Sequence, residues 1–214
     1  MNDARPPRGI FITLEGGEGV GKSTQIRLLG DVLRQRGLEV VETREPGGTE
    51  GAEAIRALLL GGTADRWNAQ AEALLFAAAR ADHVARVIRP ALDRGAWVLC
   101  DRFIDSNRAY QAGASGLADE DIMAAHKIGS GGLMPDRTLL LTLPLDVAAE
   151  RAAQRDAGQA DRFGARGHSF HEAVNAAFLM LAAREPERIR IVDAADSAEA
   201  VSSRIFEALG DLLP

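Results

Sequence analysis

Short runs of apolar residues alternate along the chain with longer stretches in which apolar residues recur every three or four positions. The short runs predict five β-strands, at residues 10–14, 39–43, 97–100, 138–143 and 189–192. The longer stretches predict helices at residues 23–36, 50–60, 68–94, 119–129, 145–154, 169–184 and 197–212, and Pro90 could break the third. Strands that alternate with helices form a parallel sheet covered on both faces. The pattern therefore predicts an α/β fold with three layers and a five-stranded parallel sheet.

Length and composition favour one domain. The 214 residues, 46% of them hydrophobic, can bury one substantial core but are few for two. We expect residues 1–8 to form a flexible N-terminal tail, which lacks the apolar core of a signal peptide, and residues 9–214 to form the domain. No apolar run approaches the roughly 20 residues of a membrane span, so we expect no membrane partner.

The charge balance gives no general attraction for polyanions. The 25 Lys and Arg residues against 31 Asp and Glu leave a net charge of -6, which predicts no binding to nucleic acid or to anionic membranes. A phosphate-binding site must therefore be local. The single cysteine, Cys100, excludes an internal disulfide framework and a cysteine zinc cluster, and it indicates a cytoplasmic location.

A complete G-x-x-x-x-G-K-[ST] motif follows the first predicted strand directly, at residues 16–23. Its glycines allow the backbone N–H groups to point inward around phosphates, Lys22 can reach the β- and γ-phosphates, and the Ser23 hydroxyl can hold Mg²⁺. A helix that begins near Lys22 would add the positive end of its dipole. A glycine-rich turn could match by chance, but the position between a strand and a helix disfavours this alternative. The motif predicts a nucleoside triphosphate site.

Polar residues also follow the second and third predicted strands, and ligands of an open parallel sheet lie outside the carboxyl ends of its strands. Arg44 precedes a Pro-Gly-Gly turn, where its guanidinium could grip a phosphate, although a surface pair with Glu45 is the alternative. Asp101 stands where phosphate-loop enzymes often place a carboxylate near Mg²⁺, although it could instead cap the next helix. Arg102 can turn into the site once its strand ends. Two arginines are thus predicted to converge on the phosphate.

Phe76, Arg80 and His83 are spaced to share one face of the long predicted helix. An aromatic ring one turn from a guanidinium could stack on a base while the arginine bonds the edge of the base. The alternatives are that Phe76 is a core residue and that Arg80 lies on a solvated helix face. His83 has no evident ligand set, and we expect a structural role for it.

Six segments together resemble bacterial thymidylate kinases and occur in the order found in that family. They are residues 15–24 (EGGEGVGKST), 43–49 (TREPGGT), 76–80 (FAAAR), 101–103 (DRF), 106–111 (SNRAYQ) and 161–163 (DRF). A phosphate loop alone marks only a superfamily, whereas the Arg-Glu-Pro-Gly-Gly-Thr segment joined to the Asp-Arg segment is far more discriminating. The resemblance covers residues 9 to about 194.

The resemblance implies a P-loop nucleoside monophosphate kinase fold and Mg²⁺-dependent transfer of the ATP γ-phosphoryl to dTMP, giving dTDP and ADP for dTTP synthesis. It also implies a homodimer formed through long helices. ATP binding falls to the loop residues, which are Gly16, Gly17, Glu18, Gly19, Val20, Gly21, Lys22, Ser23 and Thr24. Magnesium binding falls to Ser23 and Asp101, partly through water.

The dTMP site is carried over from the family position by position. Phe76 would stack on thymine, Arg80 would bond the edge of the base, and Tyr110 would pack under the deoxyribose. Asn107 or Ser106 would lie near the base. The remaining dTMP-binding residues are Gln111, Arg44 and Arg102, of which the two arginines would hold the acceptor phosphate, and Glu18, which would lie near the sugar or the metal. Phe103 replaces a tyrosine that is common in the family after Asp-Arg, so a hydrogen bond assigned to that hydroxyl is in doubt.

The segment at residues 151–168 combines arginines with glycines and predicts a mobile lid. The phosphate loop carries no positive charge between Glu18 and Gly21, so we expect the lid to bring a catalytic arginine, as in the bacterial type of the family. Arg155 and Arg162 rank first because they bracket the glycine-containing turn, and Arg151 comes next. We expect Arg166 to belong to a solvated charge run.

Two other functions fit parts of the pattern. A kinase for a different nucleoside monophosphate would share the phosphate loop and the lid but have another base pocket. A phosphate-loop switch ATPase would share only the donor site, and it would not call for two acceptor arginines and a lid.

Overall fold

The computed structural model describes residues 8–63, 65–156 and 161–213, without the side chains of residues 155 and 156. Its strands are β1 (Phe11–Glu15), β2 (Val40–Arg44), β3 (Trp97–Asp101), β4 (Arg137–Thr142) and β5 (Ile189–Asp193). They form a five-stranded sheet in the order β2-β3-β1-β4-β5, and every neighbouring pair is parallel. The predicted α/β fold with a five-stranded parallel sheet is confirmed.

Each strand sends alternate side chains to opposite faces of the sheet, as the pleat requires. On β1, Ile12 and Leu14 join a core with Leu29 of the following helix, whereas Phe11 packs with Val98 in a second core on the other face. Further along that second face, Leu140 of β4 packs in a third cluster. Because the strands are apolar on both faces, the sheet must be buried between two helical layers.

The helices lie close to the predicted stretches, with small differences at their ends. They are α1 (Lys22–Gln35), α2 (Glu50–Leu60), α3 (Ala69–His83), α4 (Arg89–Asp93), α5 (Ile104–Asn107), α6 (Asp119–Ser130), α7 (Leu145–Asp156), α8 (His168–Arg184) and α9 (Ala198–Ala208). The long predicted helix is divided by a wide π-helical turn, Val84–Ile88, and Pro90 lies in the first turn of α4. Proline has no N–H to donate and is tolerated in a first turn, so the division falls just before it.

A helical segment between residues 104 and 113 has no counterpart in the sequence prediction. It consists of α5 and a second π-helical turn, Arg108–Gly113. Its buried positions include Asp105, Asn107 and Gln111, so the apolar periodicity that marks a helix is missing there. The segment brings polar side chains under the carboxyl edge of the sheet.

Within the described ranges, no helix is both long enough and apolar enough to cross a membrane.

Candidate nucleotide-binding site

A cavity of about 490 Å³ opens at the carboxyl ends of β1, β2 and β3. Most of the residues predicted for the site line it: Glu18, Gly19, Gly21, Lys22, Ser23, Thr24, Arg44, Phe76, Arg80, Asp101, Arg102, Ser106, Asn107, Tyr110, Gln111 and Arg151. The sheet thus gathers residues that are far apart in the chain into one space. A nucleotide-sized ligand could occupy this volume.

The phosphate loop turns sharply between β1 and α1. Gly19 and Gly21 have φ angles of 74° and 95°, which residues with a Cβ rarely adopt. A Cβ on Gly19 would stand 2.1 Å from the carbonyl oxygen of Ala148 in α7. Helix α1 then begins at Lys22, and its N-cap, Gly21, makes no side-chain cap hydrogen bond. The first N–H groups of α1 are therefore available to an anion.

Lys22 bends back over the loop. Its Nζ donates to the carbonyl oxygens of Gly17 at 2.7 Å and Gly16 at 3.3 Å, and the residue is 7% exposed. Burial lowers the pKa of Lys22 to about 8, and the positive charge of Arg102 acts in the same direction. A bound polyanion would add negative charge beside this ammonium group and favour its charged form.

Ser23 and Asp101 meet at the entrance of α1. The Ser23 hydroxyl donates to Oδ2 of Asp101 at 2.7 Å, so Asp101 does not cap the next helix, whose N-cap position is Phe103. A hydroxyl and a carboxylate are the oxygen ligands that Mg²⁺ accepts, and the ion usually completes its shell with water and substrate phosphate. No group of three or more His, Cys, Asp or Glu side chains suited to a metal occurs among the described residues. The Ser23 hydroxyl and the Asp101 carboxylate fit a Mg²⁺ ion that is shared with a phosphate.

Arg102 reaches the phosphate loop through an unusual backbone conformation. Among the described residues other than glycine, Arg102 is the one with a positive φ, which is 67°. Backbone strain of this kind is typical of functional positions. The side chain consequently leaves the strand direction and donates to the Gly16 carbonyl oxygen at 2.9 Å and to Oε1 of Glu18 at 2.7 Å. Its guanidinium also lies 5.3 Å from the ring centre of Tyr110.

Arg44 is exposed at the end of β2 and pairs with Glu53 at 2.9 Å. The alternative of a surface pair with Glu45 is wrong, because Glu45 is buried and pairs with Arg80 and His83. Arg56 of α2 also lines the cavity. Burial, followed by the charge of Arg44, lowers the pKa of Arg56, so a bound anion here would favour its charged form.

Three aromatic rings form the other end of the cavity. The ring centre of Phe163 lies 5.7 Å from that of Phe76 and 6.0 Å from that of Tyr110, and all three residues line the space. Phe76 is partly buried beside this space rather than enclosed in the core. Flat apolar surfaces of this kind suit a base and a sugar.

Arg80 lies beside the rings and is 3% exposed, so the solvated-face alternative is wrong. Its Nε donates to Oε2 of Glu45 at 2.7 Å, and its Nη2 donates to Oδ1 of Asn107. His83 has the structural role expected for it, because its two ring nitrogens lie 3.0 Å from Glu45 Oε1 and 2.7 Å from Thr43 Oγ1. Arg80 is thus held rigidly at the wall of the cavity.

The arginines near the predicted lid lie in different surroundings. Arg151 is exposed on α7 and lines the cavity, whereas the side chain of Arg155 lies outside the described residues. Arg162 is buried, donates to the Leu59 carbonyl oxygen and to Glu72, and is absent from the described cavity lining. The expectation for Arg166 is wrong, because this arginine is largely buried against Glu72 and the ring of Phe170.

Sequence reasoning missed several residues of the site. Arg56, Asp161 and Phe163 line the cavity, and Glu15 and Glu72 support it from below. Arg56 and Glu72 lie in ordinary helical sequence with no motif around them. Phe163 could have been found, because it belongs to the Asp-Arg-Phe segment that carried part of the family resemblance.

A phosphate loop at the carboxyl edge of a parallel sheet, with Arg44, Arg102 and three aromatic rings around the same cavity, is the arrangement of a P-loop kinase of nucleoside monophosphates. The model of the family described as thymidylate kinase matches residues 14–205. The chain belongs to the thymidylate kinase family.

Individual relatives agree with this assignment. A thymidylate kinase from Rhizorhabdus wittichii is 63% identical over 206 residues, which cover 96% of this chain and 99% of that protein. One from Caulobacter vibrioides is 52% identical, over 94% of this chain and 96% of that protein. The crystal structure of thymidylate kinase from Ehrlichia chaffeensis matches this fold with a TM-score of 0.76 and 29% sequence identity. The match covers 95% of this chain and 100% of the Ehrlichia chain.

Proposed function

We propose that the chain catalyses transfer of the ATP γ-phosphoryl group to dTMP, which gives dTDP and ADP for dTTP synthesis. Family membership supports this reaction, and one observation carries it: the phosphate loop and the aromatic pocket open into the same cavity. A donor and an acceptor nucleotide can therefore meet end to end. In phosphoryl transfer the protein chiefly positions its two substrates and neutralises charge.

The phosphate loop and the start of α1 are the proposed ATP phosphate site. Gly16–Thr24 would surround the phosphates with N–H groups, and Lys22 would move from the Gly17 carbonyl to the β- and γ-phosphates. Ser23 and Asp101 would hold Mg²⁺, in part through water. When bound there, Mg²⁺ neutralises charge on the transferring phosphate.

Arg44 and Arg102 are proposed to hold the acceptor phosphate, with Arg56 close to Arg44. Arg102 now pairs with Glu18, and it can exchange one oxygen partner for a phosphate oxygen without leaving the loop. Glu18 would then face the sugar or the water around the metal. The attacking phosphate oxygen is already anionic, so no strong general base is needed.

The base and sugar are proposed to lie between the aromatic rings and the Arg80 wall. Phe76 would stack on thymine, Arg80 and Asn107 would bond its edge, and Tyr110 would pack under the deoxyribose. Ser106 and Gln111 complete this end of the cavity. Phe103 would keep the aromatic packing role, since its ring is fully buried under the Arg80 guanidinium at 4.9 Å, but it has no hydroxyl to form the hydrogen bond of the family tyrosine.

A lid arginine is proposed to neutralise the transferring phosphate. Arg151 is supported by its exposure and its place in the cavity lining. Arg155 stays a candidate on the sequence pattern. Arg162 would need to leave Glu72 and the Leu59 carbonyl oxygen before it could reach a phosphate, so we rank it below Arg151.

Two further proposals concern the setting of the enzyme. We infer a homodimer through α2, α3 and α6, where Leu58, Leu74 and Ile128 are exposed by 42%, 64% and 88% on helices that pack side by side. Sedimentation should give twice the chain mass, and the substitution Ile128→Asp should give the monomer.

A cytoplasmic location is proposed because Cys100 is a free, buried thiol.

The reaction is tested with purified protein, Mg²⁺, ATP and a panel of nucleoside monophosphates. We expect dTMP to be converted to dTDP in strong preference to dCMP and UMP. Preference for another monophosphate would support the alternative kinase. Slow ATP hydrolysis that does not respond to any monophosphate would support the switch ATPase.

A further inference from the structure

Glu72 lies in the first turn of α3, is 1% exposed, and accepts hydrogen bonds from three side chains. Gln111 donates its Nε2 to Oε1 of Glu72 at 2.8 Å. Arg162 and Arg166 donate their Nη2 groups to Oε2 at 2.5 Å and 3.0 Å. A carboxylate paired with two arginines carries no hydrogen, so each of these neighbours has to donate.

This requirement orients the amide of Gln111. Its nitrogen faces Glu72, so its Oε1 faces Asn107 and accepts from Asn107 Nδ2 at 2.8 Å. The remaining atom of the Asn107 amide, Oδ1, accepts from Arg80, whose guanidinium can only donate. Each side chain in the series Arg80, Asn107, Gln111 and Glu72 therefore donates to the next.

We infer that Glu72 is a positioning residue that fixes the Asn107 amide beside Arg80 and thereby selects thymine over cytosine. The inference rests on the proposed base-binding role of Arg80 and Asn107, both of which line the cavity. Arg80 offers donors and Asn107 Oδ1 offers an acceptor, which match the O4 acceptor and N3–H donor of thymine. Cytosine presents an amino donor and an N3 acceptor at the same positions.

A neutral amide at position 72 would reverse the series. Two arginine donors face one side of position 72, so a glutamine there would keep its oxygen toward Arg162 and Arg166 and turn its nitrogen toward Gln111. Gln111 would have to present its oxygen to position 72 and its nitrogen to Asn107. The Asn107 amide would then rotate and set its nitrogen against the Arg80 guanidinium, donor against donor. A buried mismatch of this kind leaves a donor without an acceptor and is unfavourable.

The inference is tested by the ratio of kcat/KM for dTMP to kcat/KM for dCMP. We expect Glu72→Gln to lower this ratio at least tenfold while the protein stays folded by circular dichroism. Gln111→Met should lower it less, by at least threefold, because Asn107 Nδ2 loses its acceptor and only Arg80 still orients the amide, while Glu72 keeps both arginines. This second variant keeps the test valid if Glu72→Gln does not fold.

The exchange Glu72→Gln with Gln111→Glu separates amide orientation from loss of the buried ion pair. A carboxylate at position 111 can accept from the amide at position 72 and from Asn107 Nδ2, so Asn107 Oδ1 again faces Arg80. We expect the exchange to return the ratio to within about threefold of wild type. A ratio within twofold of wild type in folded Glu72→Gln or Gln111→Met overturns the inference, as does an exchange variant as unselective as Glu72→Gln. Wild-type protein with no preference for dTMP over dCMP would instead refute the proposed base site.

Discussion

The hydroxyl of Ser106 donates to Oε2 of Glu15 at 2.6 Å, which joins the end of β1 to the helical segment under the nucleotide cavity. Oε1 of Glu15 accepts from the N–H of Phe103 at 2.7 Å and from the N–H of Ser106 at 3.2 Å. The carboxyl group is fully buried. Burial, followed by the charge of Asp105, raises the pKa of Glu15 to about 7.

The raised pKa of Glu15 predicts a pH-dependent contribution to stability. Relative to the ordinary value of 4.5, the folded state binds this proton more tightly, so the stabilisation is complete below pH 4.5 and is lost as the pH rises through 7. We expect the free energy of unfolding of wild type minus that of Glu15→Gln to fall by on the order of 3 kcal/mol from pH 4.5 to 8. Urea unfolding at several pH values measures it.

The prediction is stated as wild type minus Glu15→Gln because His126, which is present in both proteins, changes the free energy of unfolding with pH in the opposite direction. Burial lowers the pKa of His126 to about 4, so its contribution to stability grows as the pH rises from 4 to 6.5. Glu42→Gln on β2, where Arg34 contacts the carboxylate at 2.6 Å, is the control for the loss of a carboxylate outside the buried site. A wild-type minus Glu15→Gln difference that stays constant with pH would contradict the prediction.

Gly19→Ala should weaken ATP binding. A Cβ there would stand 2.1 Å from a backbone oxygen of α7 at a φ of 74°, so the loop has to move. We expect ATP affinity to fall at least tenfold by calorimetry. Gly17→Ala is the control in the same loop, because its Cβ would meet only the Val20 side chain at 4.0 Å, and it should change affinity less than threefold. Equal effects of the two substitutions would show that loop shape is not limiting.

Arg151→Ala and Arg162→Ala should affect different properties. Arg151 is exposed in the cavity, so its loss should lower kcat about 10³-fold and leave the free energy of unfolding within about 0.5 kcal/mol of wild type. Arg162 is buried against Glu72, so its loss should destabilise the fold by roughly 3 kcal/mol. Arg184→Ala, exposed at the end of α8, should leave both properties unchanged. If Arg151→Ala keeps full kcat, Arg155 becomes the leading candidate.

Asp101→Asn should raise the Mg²⁺ concentration needed for activity. The neutral amide keeps the hydrogen bond with Ser23 but offers weaker metal binding than a carboxylate. We expect the midpoint of a Mg²⁺ titration to rise about tenfold, with partial recovery of kcat at saturating Mg²⁺. An unchanged midpoint would remove Asp101 from the metal site.

The order of strands and helices could be predicted because apolar periodicity is a local property of the chain. The phosphate loop could be predicted for the same reason, since residues 16–23 follow one another in sequence. The segment at 104–113 could not, because its polar residues become buried only when partners from other elements arrive. Asp105, for example, is bonded by Arg188 from the loop before β5, 83 positions away.

The sequence by itself determined the α/β fold, the phosphate loop and the family, because each rests on local pattern or on contiguous motifs. Only the tertiary structure decided the partners of the arginines. Arg44, Arg80 and Arg162 look alike in sequence, yet one is exposed at the cavity, one is fixed at the base wall and one is buried on Glu72. A guanidinium takes its role from the acceptors and the solvent around it, and these are set by residues distant in the chain.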